Sequence, residues 1–422
     1  MTTNDSTLAA CSGILPLGGS TTFLINLGRA FRQRGLALPI IFLSGKNEMG
    51  GDFANAGIEV IGPMNPRFIF EDRLREAYRL IAAKRPAAVL ANLGGDSFEV
   101  LRMMPKGVVR IGVIQSDDPA PYEVVREFAP WLDVVVGVSE KICQKVARDP
   151  FVTKLRIEQI PYGIEFGPAR TVPPRDPAKP LRLIYIGRII EEQKRVSRLV
   201  ELAKMLTARG VKFEFTLLGS GPQMQSCRDA VSGFPNVHFL GDAPNEQIEE
   251  HLHASDIFVL LSDYEGLPLS LLEAMGEGVV PVVSDLESGM PQVVTAEMGI
   301  RVPVGDVAAA ADAIVDLSRD SARLAKMANA ASAFVRSEFT AAKMAKRYLE
   351  LIGELAKAEV VWPQDVSVPV PLLYEKRWLL QTWSRPMRRL IKQFLLLVRL
   401  KVPMATWLHS YKGQKNAPDV TM

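Results

Sequence analysis

The chain has 422 residues, 48% of them hydrophobic and 23% charged, with a formal net charge of +3. This length exceeds what one core fills and suits two domains with an added segment, and the composition excludes a disordered or fibrous chain. Ten Lys/Arg against three Asp/Glu lie from Trp362 onward, a net of +7, which leaves about −4 for the first 361 residues, so a nucleic-acid-binding face across the whole protein is not expected.

The opening residues, MTTNDSTLAACSGILP, have neither a basic n-region nor a long apolar core, so no signal peptide is expected. No apolar run reaches the length of a membrane span. Thr21 to Arg34 reads as a helix closed by Gly35. LALPIIFLS (36–44), AAVLANL (87–93), VVRIGVI (108–114) and VVVGVS (134–139) read as strands. Several are apolar on successive residues, as parallel strands covered on both faces should be. Residues 166–180 hold five prolines and no apolar period, so they read as a linker. LRLIYIG (181–187), FEFTLLG (213–219), DIFVLLS (256–262) and VVPVVS (279–284) form a second strand series. Between and after them, helices are predicted over Arg195 to Ala208, closed by Gly210, and over Ala308 to Ser318 and Ala322 to Ala358. The fold class is α/β: two Rossmann-like, doubly wound parallel-sheet domains facing a cleft, with a C-terminal helical tail. The expected boundaries are 1–166, a linker over 167–180, 181–345, and a helical crossover with a basic tail over 346–422. Cys11, Cys143 and Cys227 are far apart and odd in number, which points to a reducing compartment without disulfides or a zinc site.

Chemistry concentrates in SDYEGLPLSLLEAMGEGVVPVVSD (262–285). A buried strand ends near Ser262, and a helix opens after Pro268, where a missing N–H costs nothing. Ligands of such sheets bind beyond the strands' carboxyl ends, which puts Glu265, Gly266 and Leu267 at the cleft mouth. The N–H groups of Leu267, Leu269 and Ser270 suit a phosphate. Glu273, more than a turn further on, suits a ribose diol, and Glu265 suits a sugar ring. A capped helix with a buried, paired glutamate is the plainer alternative for this stretch alone. Arg188 and Lys194 follow another strand end and suit a pyrophosphate, the arginine as a fork and the lysine as a point charge, although alone two solvated cations on the first turns of a helix are the plainer reading. Gly219-Ser220-Gly221 precedes Asp242 at a suggestive distance, but Met224 stands where a dinucleotide fingerprint needs its third glycine. That segment reads as a tight turn allowing close approach of a nucleotide.

GRIIEEQKR, LLGSGP, SDIFVLLSDYEGLPLSLLEAMGEGVVPVV and SGMPQVV…GIRVPVGD resemble the C-terminal domain of retaining glycosyltransferase family 4, which has the GT-B fold. LGGSTTFLINLGRAFRQRG, VGVSEKI and IPYGIE resemble that family's N-terminal domain, and the resemblance runs over roughly residues 8 to 350. It implies that Glu265 holds donor-sugar hydroxyls, Glu273 the nucleotide ribose, and Arg188 and Lys194 the pyrophosphate. Gly18 and Gly19 match the glycine pair that faces the donor phosphates from the other domain. The implied activity is transfer of a sugar from a nucleotide-sugar donor to a saccharide or lipid-linked acceptor with retention. The nucleotide sugar is a co-substrate, and no cofactor or metal is expected: no Asp-x-Asp element follows a strand, and His251 and His253, two apart on a helix, do not share a face.

Two positions depart from the pattern. Many members carry His-Asp in the loop that reads VIQSDDPAPY here, and the N-terminal domain has no histidine. Gln115, Ser116, Asp117 and Asp118 stand there as acceptor candidates. Many relatives read Gly-x-Pro-Glu where this chain has Gly289-Met290-Pro291-Gln292. The rival readings are a nucleotide-sugar 2-epimerase of the same architecture, which would need acid–base groups across the cleft, and a non-catalytic sugar-nucleotide-binding protein.

The basic tail EKRWLLQTWSRPMRRLIKQFLLLVRLK (375–401) places Met387, Leu390, Ile391, Phe394, Leu395 and Val398 at helical spacing, with Trp378 and Trp383 upstream. Arg388, Arg389, Lys392 and Arg399 rule out a span. Two readings stay open: packing back on the N-terminal domain, and peripheral contact with the cytoplasmic face of a membrane, the protein being cytoplasmic in either case. On the membrane reading, the full chain should sediment with anionic vesicles and a chain lacking 362–422 should not. Each cation near such a surface contributes about 1 kcal/mol, a part that fades with salt. Equal sedimentation of both forms leaves the tail as a packing element.

Overall fold

The computed structural model describes residues 7–65, 68–356 and 360–364. Two all-parallel sheets carry the chain. The first contains β1 (Leu8–Ser12), β2 (Ile40–Phe42), β3 (Val60–Ile61), β4 (Ala88–Asn92), β5 (Val109–Ile114), β6 (Val134–Gly137) and β7 (Arg156–Gln159), in the order β3-β2-β1-β4-β5-β6-β7. The second contains β8 (Leu181–Ile186), β9 (Phe213–Leu218), β10 (Val237–Gly241), β11 (Ile257–Leu260), β12 (Val280–Ser284) and β13 (Ile300–Val302), in the order β10-β9-β8-β11-β12-β13. Both orders reverse once, between β1 and β4 and between β8 and β11, and ligands of doubly wound sheets lodge at such reversals. This is the GT-B architecture of two Rossmann-like domains.

The central strands β1, β4, β6, β11 and β12 are buried at every position, because helices cover both faces of each sheet. β1 escapes sequence reading because LAACS is built of small residues with little strand preference. The short strands β3 and β7 are half-buried throughout and carry no strong apolar signal. Pro39 precedes β2, and the predicted LALPIIFLS strand shrinks to Ile40–Phe42.

The prolines of 166–180 hold that segment out of helix and strand, yet it is packed against the second domain. Val172 exchanges hydrogen bonds with the Asn329 amide at 2.9 and 2.8 Å, and the Arg336 guanidinium lies over the Phe166 ring at 4.8 Å. The helix expected over Ala322–Ala358 is two helices, Ser321–Glu338 and Ala341–Leu355. The break falls where Ile164 pairs with Thr340, whose hydroxyl caps the second helix by accepting from the Lys343 N–H at 3.1 Å. That second helix packs against the Gly19–Arg32 helix of the first domain, with Tyr348 against Phe23 and Arg156 paired with Glu354 at 2.6 Å. The following chain stays on the first domain: Trp362 lies beside Tyr78, whose hydroxyl donates to the Pro363 carbonyl at 2.9 Å. The tail over 375–401 lies outside the described residues. No helix among the described residues is long and apolar enough to cross a membrane.

Gly163 is the tightest point of this crossover. A Cβ there would lie 2.5 Å from the Thr340 carbonyl oxygen and 2.6 Å from the Ala341 Cα, both backbone atoms, and the Gly163 carbonyl accepts from the Asn26 amide at 3.0 Å. Gly163→Ala should therefore cost on the order of 1–3 kcal/mol. A lowered melting temperature in calorimetry is expected; an unchanged one would mean the crossover yields without cost.

Candidate active site

The carboxyl ends of both sheets face a common cleft, and the second domain supplies most of its charge. Glu265, in the loop after β11, is 5% exposed, and its carboxylate accepts from the Lys194 ammonium at 2.6 Å. Lys194 lies in the loop after β8, so the pair bridges the two strands that flank the reversal in the second sheet. Gln193 organises the group. Its amide donates to the Tyr264 carbonyl at 3.1 Å and to Glu265 at 3.4 Å, and its oxygen accepts from the Arg188 guanidinium at 2.9 Å. Arg188 itself is exposed. Sequence reading missed Gln193, which is legible only once Arg188, Lys194 and Glu265 are seen to converge on it.

The helix Leu269–Gly276 opens behind Pro268 with no side chain capping it, so its first N–H groups stay available to an anion. Leu267 and Leu269 are buried and Ser270 is half-buried. The helix Gly19–Arg32 of the first domain also begins without a side-chain cap, after Gly18 at φ 133°, a conformation that favours glycine. The two helix starts meet: a Cβ on Gly19 would lie 3.4 Å from the Leu269 side chain. Gly266 is held closer still, since any side chain on it would overlap the Gln115 carbonyl oxygen of the first domain. Gly219 and Gly221 serve their own domain. Each lies too close to the backbone carbonyl of Gly187 or Ile189 to admit a side chain, which locks the β8 and β9 loops together.

The loop where a histidine was missing is built from amides. The Gln115 amide nitrogen donates to the Asn92 side chain in a short contact, and Asn92 in turn reaches the Ser20 carbonyl at 3.4 Å. The Gln115 side-chain oxygen is buried without a hydrogen-bond partner among the described residues. Ser116 lies against Gly266. Asp117 is taken up by Lys145 at 2.6 Å and by the Tyr122 hydroxyl at 2.6 Å, and Asp118 caps the Pro119–Phe128 helix through the Ala120 N–H at 3.1 Å. Of the four acceptor candidates, Gln115 and Ser116 thus lie at the domain contact, while the two aspartates hold the loop in shape. The hydroxyls of Ser262, Ser284 and Ser288, at or just past the ends of β11 and β12, are also buried without partners among the described residues.

Glu273 differs from Glu265. No hydrogen bond or ion pair is formed by its carboxylate among the described residues, and burial pushes its pKa up to about 7. The group of metal-ligand type among the described residues is Glu249, His253 and Glu277, beside the linker. Its Glu277 already pairs with Arg336 at 2.8 Å and with His253 at 2.7 Å, so that carboxylate is neutralised by the protein.

The Glu273 environment sets a test. Its raised pKa penalises the folded state once the unfolded chain ionises, so the cost is absent below about pH 4, grows above it and levels off above about pH 7. A full shift of this size would correspond to about 3 kcal/mol, which partial exposure reduces to about 1 kcal/mol. Glu273→Gln should raise the melting temperature of the unliganded protein at pH 8 and leave it unchanged at pH 4. A lowered value at pH 8 would show a hidden partner for the carboxylate.

The family model described as "Glycosyl transferases group 1" matches residues 180–320, the segment that carries Arg188, Lys194, Glu265 and Glu273. Among curated proteins, the chain is similar to WcaL of Escherichia coli K12, by its name a glycosyltransferase of colanic acid biosynthesis. The two are 31% identical over 276 residues, covering 60% of this chain and 67% of WcaL. It is 32% identical over 188 residues to the amylovoran biosynthesis glycosyltransferase AmsK of Erwinia amylovora, covering 42% of this chain and 46% of AmsK, so that match spans under half of the relative's length. Among solved structures, Staphylococcus aureus TarM superposes with a TM-score of 0.67 at 13% identity, covering 82% of this chain and 99% of TarM. HepE of Anabaena, solved with UDP and glucose, superposes with a TM-score of 0.66 at 14% identity, covering 82% of this chain and 99% of HepE. At such identities the superpositions speak for the GT-B fold alone. With the sequence matches, they lead to one conclusion: the chain belongs to the group 1 glycosyl transferases.

Proposed function

We propose that this protein transfers a sugar, with retention of configuration, from a nucleotide-sugar donor to a saccharide or lipid-linked acceptor bound in the cleft. One observation carries the reading: Lys194, Glu265, Gln193 and Arg188 form a connected group beside an uncapped helix start, and Glu273 has no partner among the described residues. In this reading Arg188, Lys194 and the N–H groups of Leu267, Leu269 and Ser270 take the diphosphate, Glu273 takes the ribose diol, and Glu265 takes hydroxyls of the sugar. Support comes from the solved relatives, since HepE was crystallised with UDP and glucose and TarM with UDP and a GlcNAc-glycerol. The bacterial relatives named for amylovoran and colanic acid support a polysaccharide-building role.

The chemistry asks little covalent work of the protein. The bond from the anomeric carbon to the diphosphate oxygen breaks, and its electron pair leaves with the diphosphate. The acceptor hydroxyl forms the new bond on the same face and passes its proton to the departing phosphate oxygen. Retention follows without a protein base, which makes a histidine-free first domain sufficient. The protein's part is to stabilise the charge that grows on the diphosphate, a preorganised electrostatic role. The epimerase alternative gains no support, since that reaction calls for acid–base groups across the cleft and the relatives named above are transferases. No metal is assigned a role, and activity should withstand EDTA; strict dependence on added Mg²⁺ or Mn²⁺ would overturn that assignment.

A thermal-shift screen of nucleotide sugars, followed by transfer assays with the stabilising ones, tests the function, because a bound ligand raises apparent stability by mass action. Stabilisation by none of them would count against the proposal. Arg188→Ala should lower kcat by about 100-fold, as loss of one charge-stabilising donor does. Being exposed, it should change stability by less than about 0.5 kcal/mol. Lys194→Ala should lower kcat too, and it should also cost roughly 3–5 kcal/mol because Glu265 is left buried without its cation. Near-wild-type turnover in either variant would remove that residue from the diphosphate site. Glu273→Gln, stabilising without ligand, should weaken UDP binding in calorimetry by roughly 1.5–3 kcal/mol, the worth of a hydrogen bond to a charged group.

A further inference from the structure

We infer that Gln292 is a positioning residue: its side-chain amide clasps the N-terminal domain at Glu140 and Gln159 and so holds the two halves of the cleft in register. The inference rests on the transferase reading above and adds to it the element that sets the closed geometry.

Gln292 lies in the short helix Met290–Val293 that follows β12. Its amide nitrogen donates to the Glu140 carboxylate at 2.8 Å. Its oxygen accepts from the Glu140 backbone N–H at 3.4 Å and from the Gln159 amide at 3.3 Å. Glu140 opens the Glu140–Ala147 helix after β6, and Gln159 ends β7, so all the partners belong to the first domain and lie at the carboxyl ends of its strands. Glu140 presents an acceptor in its side chain and a donor in its backbone. Only a group with both a donor and an acceptor answers the two together, and a neutral amide is that group. The glutamate that many relatives carry at this position would place two carboxylates against each other here. The departure from Gly-x-Pro-Glu is therefore matched by a residue 152 positions away.

The clasp connects to the donor site. In the same loop, the Gly289 N–H donates to the Gly266 carbonyl at 2.9 Å. Gly266 follows Glu265 and lies against Gln115 and Ser116 of the first domain. Holding Gln292 on Glu140 therefore holds the Glu265–Leu267 segment at its distance from the opposite wall. The neighbouring Lys141–Glu287 pair, at 2.5 Å, has an 85% exposed glutamate and should contribute little. Gln144 steadies the Glu140 carboxylate from its own helix at 2.9 Å. Gln292 bonds Glu140 and Gln159, neither of which is assigned to donor or acceptor, so its role is to place other residues.

The test uses the full chain and a swapped pair. Gln292→Glu should set like charges face to face, whereas Gln292→Glu with Glu140→Gln restores the side-chain bond with donor and acceptor exchanged and keeps the two bonds donated by the residue-140 backbone and the Gln159 amide. Small-angle scattering of the unliganded protein should show a larger radius of gyration for Gln292→Glu and a return to the wild-type value in the double variant. With a donor found in the screen above, Gln292→Glu should lower kcat by about tenfold, as a misplaced reacting group does, and the double variant should recover it. UDP affinity should stay within about threefold of wild type, since the side chains assigned to UDP, those of Arg188, Lys194 and Glu273, lie in the second domain and only the backbone of Gly18 and Gly19 is assigned to it from the first. Wild-type scattering from Gln292→Glu, or no recovery in the double variant, overturns the inference. Scattering that opens and recovers in a protein for which no donor is found upholds the clasp and counts against the transferase reading alone.

Discussion

One buried ion pair organises the cleft. Lys194 and Glu265 are 12% and 6% exposed at their side chains, and neither charge could be kept there without the other. Their contact fixes the β8 and β11 loops at the reversal of the second sheet. Gln193 extends the order to Arg188 on one side and to the Tyr264 backbone on the other. On the proposed function, this pair lets the unliganded cleft hold a cation for the diphosphate without unmet charge. A diphosphate arriving beside Lys194 would share it, and Glu265 would turn from one partner to the sugar's hydroxyls.

The two glutamates of the motif differ for a physical reason. Glu265 is buried with a lysine, while the half-buried Glu273 carboxylate has no partner among the described residues, and desolvation pushes it up to about 7. A group kept at such a cost to folding is the type of residue expected where binding, not stability, selects it. The hydroxyls of Ser262, Ser284 and Ser288 and the Gln115 oxygen, without partners among the described residues, repeat the pattern in polar, uncharged form.

Closure of the cleft depends on residues with no chemistry of their own. Gly266 admits the first domain because it has no side chain, Gly19 lies in contact range of Leu269, and Gln292 spans the gap with an amide. The Ala341–Leu355 helix, running from the second sheet back to the first, ties the domains at the crossover. The domains are thus joined at the crossover and again at the strand ends.

The sequence by itself determined the α/β class, most central strands and the identity of the charged residues now seen together. Apolar runs such as AVLAN and VPVVS are unambiguous because both faces of a parallel sheet are covered. Arg188, Lys194, Glu265 and Glu273 are picked out through the family resemblance; strand ends and a proline-led helix start place them at the cleft, but on those residues alone a capped helix and solvated cations are the plainer readings. β1 was not legible, since small residues give a strand no periodic signal, and neither was the break at Thr340, which exists only because Ile164 pairs there. Tertiary structure alone decided that Asp117 and Asp118 serve their own loop, that Gln193 joins the charged group, and that Gln292 meets Glu140. Each of these depends on which distant residue lies opposite, and local sequence carries no record of that when the contact spans two domains.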